Sequence, residues 1–254
     1  MINAVKRLRS VCLLAVATCL TPGAAWAADI AVLCSQGLKT VVEDLAPQFE
    51  AQTGDHLVVA YDTSALLKSQ IEAGKPFDVV VLTPPLITAL IQQGKVADGS
   101  ATTLARTGLG LAVKKGAVRP DITTAETLKH ALASAGSVAY STSGVSGSMF
   151  SAALQKLGIA DEVKAKAKPV PNGLTGDVVV HGEADLAVQL MPELMSVSGV
   201  DVVGPFPADL QSYVVLTGGV STSATDKARA EAFLAFLKKP SVAAVIRQKG
   251  LEPS

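Results

Sequence analysis

The chain has 254 residues, with 22 basic against 22 acidic side chains and no net charge at neutral pH. That balance gives no electrostatic reason to bind nucleic acid or an anionic membrane surface. Apolar residues make up 49% of the chain and aromatic ones 4%, so Ala, Val and Leu must build the core of one large domain or of two lobes of ordinary size.

At the N-terminus Lys6, Arg7 and Arg9 precede an apolar stretch from Val11 to Leu20. Thr21, Pro22 and Gly23 break it, and Ala25-Trp26-Ala27 supplies the small-x-small pattern that signal peptidase reads. The stretch is too short to span a bilayer. Residues 1–27 are therefore expected to be a cleaved export signal, placing a chain that starts at Ala28 in the periplasm. A second reading makes Cys19 a lipid-anchored N-terminus, because Val16-Ala17-Thr18-Cys19 loosely resembles a lipobox. Cleavage after Ala27 leaves 19 basic against 22 acidic residues and removes Cys12 and Cys19. Cys34 then stands alone, which excludes an internal disulfide and a cysteine metal cluster. No later stretch is long and apolar enough for a membrane span.

Ile30 to Cys34 reads as a buried strand, and beyond Gly37 the residues Leu38, Val41, Val42, Leu45 and Phe49 recur at helical spacing. Strands at Leu57 to Tyr61 and Phe77 to Leu82 alternate with helices at Ala65 to Ala73 and Leu86 to Gln93. This βαβαβ order with wholly apolar strands predicts a parallel sheet covered on both faces. A long extended piece runs from Thr102 to Lys114. The pattern then restarts with a helix at Ala125 to Ala135 and a strand at Ser137 to Tyr140. The loop Ser141 to Ser148 follows, then a helix from Met149 to Leu157. Thr175 to His181 is a short helix and Leu186 to Leu190 a buried strand. Val200 to Val203 and Tyr213 to Val220 are extended, and helices at Ala224 to Lys238 and Ser241 to Lys249 close the chain. Two α/β units joined by two extended crossings predict a hinge with a cleft. The first lobe takes residues 28–108 plus 206–254, the second 109–205.

In open α/β sheets ligands sit beyond the carboxyl ends of strands. Those ends carry Ser35-Gln36-Gly37, Asp62-Thr63-Ser64, Thr83, Ser141-Thr142-Ser143 and Gln189. Ser141 to Ser148 offers glycines and hydroxyls before a helix, where free N–H groups and the helix dipole attract an anion; a capped loop is the plain alternative. Ser35, Gly37, Thr63 and Ser64 share one sheet edge, although turns and caps explain each alone. Asn172-Gly173 marks a third junction. Arg106, in the first crossing, could make a bidentate carboxylate contact or lie solvated at the surface. Lys39 and Lys68 start helices near the same edge. Asp62 is the carboxylate placed to act as a base, with a turn role as the alternative. His56, His130 and His181 lack metal-ligand spacing, and no nucleophile elbow or phosphate-binding loop occurs. Neither metal nor cofactor is expected.

Several segments carry a family resemblance: Ala46-Pro47-Gln48-Phe49-Glu50-Ala51-Gln52-Thr53-Gly54, Ser69-Gln70-Ile71-Glu72-Ala73-Gly74, Phe77-Asp78-Val79-Val80-Val81 and Leu154-Gln155-Lys156-Leu157-Gly158. Gly182-Glu183-Ala184-Asp185 and Lys249-Gly250-Leu251-Glu252-Pro253 extend it to the end of the chain. Together they resemble the molybdate-binding-protein-like group of type II periplasmic solute-binding proteins. The resemblance implies two lobes, each a mostly parallel sheet flanked by helices, with the ligand in the cleft at the hinge. It also implies a monomer that serves an ABC-transporter permease.

Molybdate binders of that group hold the oxyanion with serine hydroxyls and backbone N–H groups of the first lobe and with N–H groups and a tyrosine of the second. The implied positions here are Gly37 (with Ser35 two residues earlier), Ser64 or Thr63, Ser146 beside Gly147 and Ser148, and Leu190 beside Gln189. Gly37 and Leu190 depart from the pattern. These departures count against molybdate, and Arg106 with the polar Gln189 and Ser146 directs the expectation to an organic di- or tricarboxylate. The wider family also includes a secreted aconitate isomerase, so a proton-moving enzyme using the same cleft stays open beside transport, as does a plain oxyanion receptor.

Overall fold

The computed structural model describes residues 27–142 and 144–254. Apart from Ala27, the export signal with its alternative anchor at Cys19 lies outside the described residues, and so does Ser143.

The first unit alternates as its sequence predicts: β1 (Asp29–Ser35), α1 (Lys39–Thr53), β2 (His56–Asp62), α2 (Ser64–Glu72), β3 (Val79–Leu82) and α3 (Pro84–Gln92). β1 pairs in parallel with both β2 and β3. Strand alternation divides the core between two faces. Val32, Cys34, Val79 and Val81 turn toward Val42, Leu45 and Phe49 of α1. Leu33, Val80 and Leu82 turn toward Leu67 and Ile71 of α2 and Ile87 and Leu90 of α3. Cys34 is free and fully buried, and burial pushes its thiol pKa far up, so it is an inert core residue.

The second unit contains α4 (Ala125–Ser134), β5 (Val138–Ser141), α5 (Val145–Leu157), α6 (Ala160–Ala165), β6 (Ala167–Val170), α7 (Thr175–Val180), β7 (Leu186–Leu190), α8 (Met191–Met195) and β8 (Val200–Pro205). β5 pairs in parallel with β6 and β7. α4, α5 and α6 cover one face through Leu128, Phe150, Leu154 and Val163, and α7 and α8 cover the other through Val179 and Leu194. The chain then returns through β9 (Tyr213–Val220), α9 (Lys227–Leu237), α10 (Pro240–Gln248) and β10 (Glu252–Pro253) to the first core.

One strand serves both units. β4 (Thr102–Lys114) pairs antiparallel with β9 along its first half and with β7 and β8 along its second. Between the two ladders Gln211 takes the place of a strand partner. Its amide oxygen accepts the Leu109 N–H and its amide nitrogen donates to the Leu109 carbonyl, both at 2.8 Å. Gly108 leaves room for this: a Cβ there would lie 2.4 Å from Gln211 Cδ.

Register along β4 decides where the strand ends point. β3 ends with Leu82 opposite Thr217, which faces Thr103. β7 runs the other way and ends with Leu190 opposite Leu109. The carboxyl ends of the two sheets therefore aim at each other across the middle of β4, about 20 Å apart at roughly 3.3 Å per residue.

Three differences from the sequence expectation have local causes. α5 starts at Val145, not Met149, because small residues that read as a loop form its first turn. β6 is the terminal strand of the sheet path, where Pro169 is tolerated; with α6 and α8 it is too short or too polar for periodicity to reveal. α9 begins at Lys227, not Ala224, because the Asp226 carboxylate caps it by accepting the Arg229 N–H.

Candidate functional site

On the first unit, Ser35 closes β1 opposite Asp62 at the end of β2. The Ser64 hydroxyl, in the first turn of α2, donates to Ser35 Oγ at 3.0 Å, which ties the two junctions together. Thr63 is the cap of α2, its hydroxyl oxygen accepting the Leu66 N–H. Among the described residues, the first-turn N–H groups of Ser64 and Ala65 have no protein partner. Gly37 has a packing reason: a Cβ there would sit 3.3 Å from Leu216 Cδ1 and push the turn before α1 off β9. Asp62 behaves as a turn residue. One carboxylate oxygen accepts the Thr63 N–H at 2.8 Å and the other the Gln70 amide at 3.2 Å.

On the second unit, the Ser141 hydroxyl ends β5 and accepts the Gly144 N–H. Gly144 brings no side-chain cap to α5. Among the described residues, the Val145 and Ser146 N–H groups and the Ser146 hydroxyl have no protein partner, although Ser146 is 4% exposed. Gly147 sets this geometry, since a Cβ there would stand 2.0 Å from the Ser141 carbonyl oxygen. Only glycine lets the first turn of α5 rest on the end of β5. Ser148 is exposed on the same turn, and Asn172 is exposed in the turn before α7.

Two candidates are corrected. Gln189 is 4% exposed and its amide is spent inside the protein. Its oxygen accepts the N–H and hydroxyl of Thr175, and its nitrogen donates to the Gly173 carbonyl. It fixes the start of α7. Arg106 pairs with Glu252 at 2.6 Å and stacks on Tyr213, 4.0 Å from the ring centroid. Its fork is therefore engaged across the β4–β10 pair. Lys39 and Lys68 are likewise paired, with Glu43 and Glu72.

Sequence reasoning missed Glu193, the third residue of α8. Its carboxylate accepts the Leu190 N–H, and burial holds its pKa above the usual carboxylate range. The capping spacing from Leu190 to Glu193 was the available signal. It also missed the buried Thr217 hydroxyl, which has no partner among the described residues. A concavity of about 790 Å³ lined by Val113, Lys114, Val118, His130, Val179 and Asp185 lies at the opposite end of the second unit. Among the described residues no cluster could hold a metal ion, and no helix is long and apolar enough to cross a membrane.

The arrangement thus sets hydroxyls and helix starts with unpartnered N–H groups, from two units, against each other, with the neighbouring cations already paired. Such a site favours negative charge through neutral dipoles. The model of the family described as bacterial extracellular solute-binding protein matches residues 30–252. The chain belongs to that family. This solute-binding protein is 32% identical to an aconitate isomerase from Pseudomonas sp. over 230 residues, covering 88% of this chain and 87% of the relative. It is 27% identical to the molybdate-binding protein of Escherichia coli K12, covering 87% and 88% of the two chains. Among solved structures, a substrate-binding domain from Clostridium difficile superposes with a TM-score of 0.79 at 17% identity, covering 90% of this chain and all of that one. The Azotobacter vinelandii periplasmic molybdate-binding protein superposes with a TM-score of 0.68 at 24% identity, covering 87% and 98%. These likenesses establish the two-lobed fold of periplasmic binding proteins for this solute-binding protein.

Proposed function

We propose that this protein captures a small polycarboxylate in the cleft between its two lobes, residues 28–108 with 206–254 and residues 109–205. It acts in the periplasm as a monomer, after cleavage of its export signal, and hands the ligand to an ABC-transporter permease. The carrying observation is the pair of helix starts, Ser64-Ala65 and Val145-Ser146, whose first N–H groups have no protein partner among the described residues and which are presented by facing strand ends. Their free N–H groups and the Ser35, Ser64 and Ser146 hydroxyls can neutralise an anion without a charged side chain. Beside these donors stand Leu66 and Val145, each 53% exposed. Apolar lips next to neutral donors suit a ligand with a carbon skeleton better than a fully hydrated tetrahedral oxyanion, whose every edge needs a donor.

A second reading, aconitate isomerisation in the same cleft, is favoured by the 32% identity to the Pseudomonas enzyme. It requires one carboxylate to carry an allylic proton between carbons of the bound acid. Both oxygens of Asp62 are already engaged, which weakens it as that base.

Calorimetry with citrate, trans-aconitate, succinate and molybdate, together with an assay for conversion of trans-aconitate to the cis isomer, tests both readings. We expect a polycarboxylate to bind, and Ser64→Ala and Ser146→Ala each to weaken it by about 1–3 kcal/mol. Tight molybdate binding with no polycarboxylate affinity would leave an oxyanion receptor and overturn the proposal. Turnover of trans-aconitate would replace transport by isomerisation.

A further inference from the structure

The starts of β1 and β2 lie side by side and carry a buried charge cluster. Asp55, 6% exposed, sits in the turn between α1 and β2. Its carboxylate receives the Arg229 guanidinium from α9 and, at 3.4 Å, the backbone N–H of Ala28. Arg229 is shared, since its Nε also bonds Asp226 at 3.0 Å. One guanidinium thus serves two carboxylates. The other groups facing this corner are Asp29, Glu50 and His56. The His56 ring lies 3.5 Å from Asp29 and 4.0 Å from Glu50. Carboxylates outnumber cations here, so another positive charge would be stabilising. Ala28 is already held in place, because its carbonyl accepts the His56 N–H at 3.0 Å.

We propose that removal of residues 1–27 converts the Ala28 N–H into an α-ammonium that pairs with Asp55, so that the processed N-terminus completes this cluster and stabilises the exported protein. The proposal rests on cleavage after Ala27. In that hydrolysis water adds hydroxyl to the Ala27 carbonyl carbon, which leaves as a carboxylate with the signal. The amine stays on Ala28 and takes up a proton. The backbone is already pinned at this spot, so little ordering entropy opposes the new pair, and Asp55 is shielded enough that the attraction is not lost to screening. A retained signal would keep a neutral amide there, and a cut one residue earlier would carry the charge past Asp55.

The pH dependence has a definite sign. An unperturbed α-amino group titrates at about 7.7–8.0, and Asp55 raises that value in the folded state. The stabilisation is therefore complete below the ordinary α-amino range and disappears as pH rises through the raised folded value.

The test uses protein purified from the periplasm, with its N-terminus read by mass spectrometry. One portion is acetylated selectively at the α-amine, which removes the charge. Another is reductively dimethylated there, which keeps it. We expect the free and dimethylated forms to share a higher urea midpoint at pH 7 than the acetylated form. The gap should close above about pH 10, and Asp55→Asn should abolish it. If that variant fails to fold, the comparison of acetylated with free protein in the unmutated chain decides alone. A start at Ala28 with equal midpoints for acetylated and free protein would overturn the ion pair. A start elsewhere would overturn the cleavage on which it rests.

Discussion

Glu193 holds its carboxylate where burial disfavours charge, and only the Leu190 N–H and the Gln189 side chain oppose that cost. Its folded pKa lies above the ordinary value, so its contribution to stability is full below the usual carboxylate range and is lost as pH rises through the folded value. Glu193→Gln keeps an acceptor for the Leu190 N–H and drops the buried charge. The variant should match the parent near pH 4 and melt up to about 2 °C higher at pH 7, roughly half a kcal/mol for a chain of this size; thermal scans at the two pH values check it. Arg106 makes the opposite point. Its place in the crossing was legible, but its partner Glu252 lies 146 residues away in sequence. Both side chains are about half exposed, so the pair adds about 1 kcal/mol at most. Arg106→Lys should leave polycarboxylate affinity within about twofold in calorimetry, because the guanidinium is engaged by Glu252 and stacked on Tyr213. Gln189 was misread for a similar reason. A polar residue at a strand end reads as a ligand group until Thr175, folded back against it, takes its amide.

At the scale of elements, the alternating apolar strands and the helices between them were readable because burial on two faces imposes an unbroken apolar run. The start of α5 was not. Val145-Ser146-Gly147-Ser148 has the composition of a loop, and what makes it helical is contact with the end of β5, a tertiary fact. The same contact makes Gly147 sensitive. In Gly147→Ala the new methyl meets a backbone oxygen and cannot rotate away, so the helix start must shift. We expect a loss of about 1–3 kcal/mol in chemical denaturation. The Ser146 N–H would move with the helix, so anion affinity should fall together with stability. Unchanged affinity in that variant would remove α5 from the site. The serines of the first unit were easier to find, since Ser35 and Ser64 lie at consecutive strand-to-helix junctions of one parallel sheet.

For the whole molecule, the two-unit order and the two crossings followed from the restart of the α/β pattern after Lys114. The latch at Gln211 was invisible in it, because a glutamine in an extended crossing carries no periodic signal. Gln211→Ala would strip the Leu109 N–H of its side-chain partner and leave the Leu109 carbonyl with the Phe206 N–H alone, at the point where β4 passes between its two ladders. Melting stability should drop by about 1–3 kcal/mol. Small-angle scattering should also show a changed balance of open and closed lobes, with the donors at Ser64 and Ser146 untouched. The shared strand has a consequence for how such proteins diversify. Cutting the chain within β4 would leave each half with part of a strand and a bare, apolar sheet edge, the kind of surface that seeds aggregation. Either half alone is then expected to aggregate when it is produced as a separate module. A change of ligand preference is then expected to come from substitutions within the intact two-unit chain.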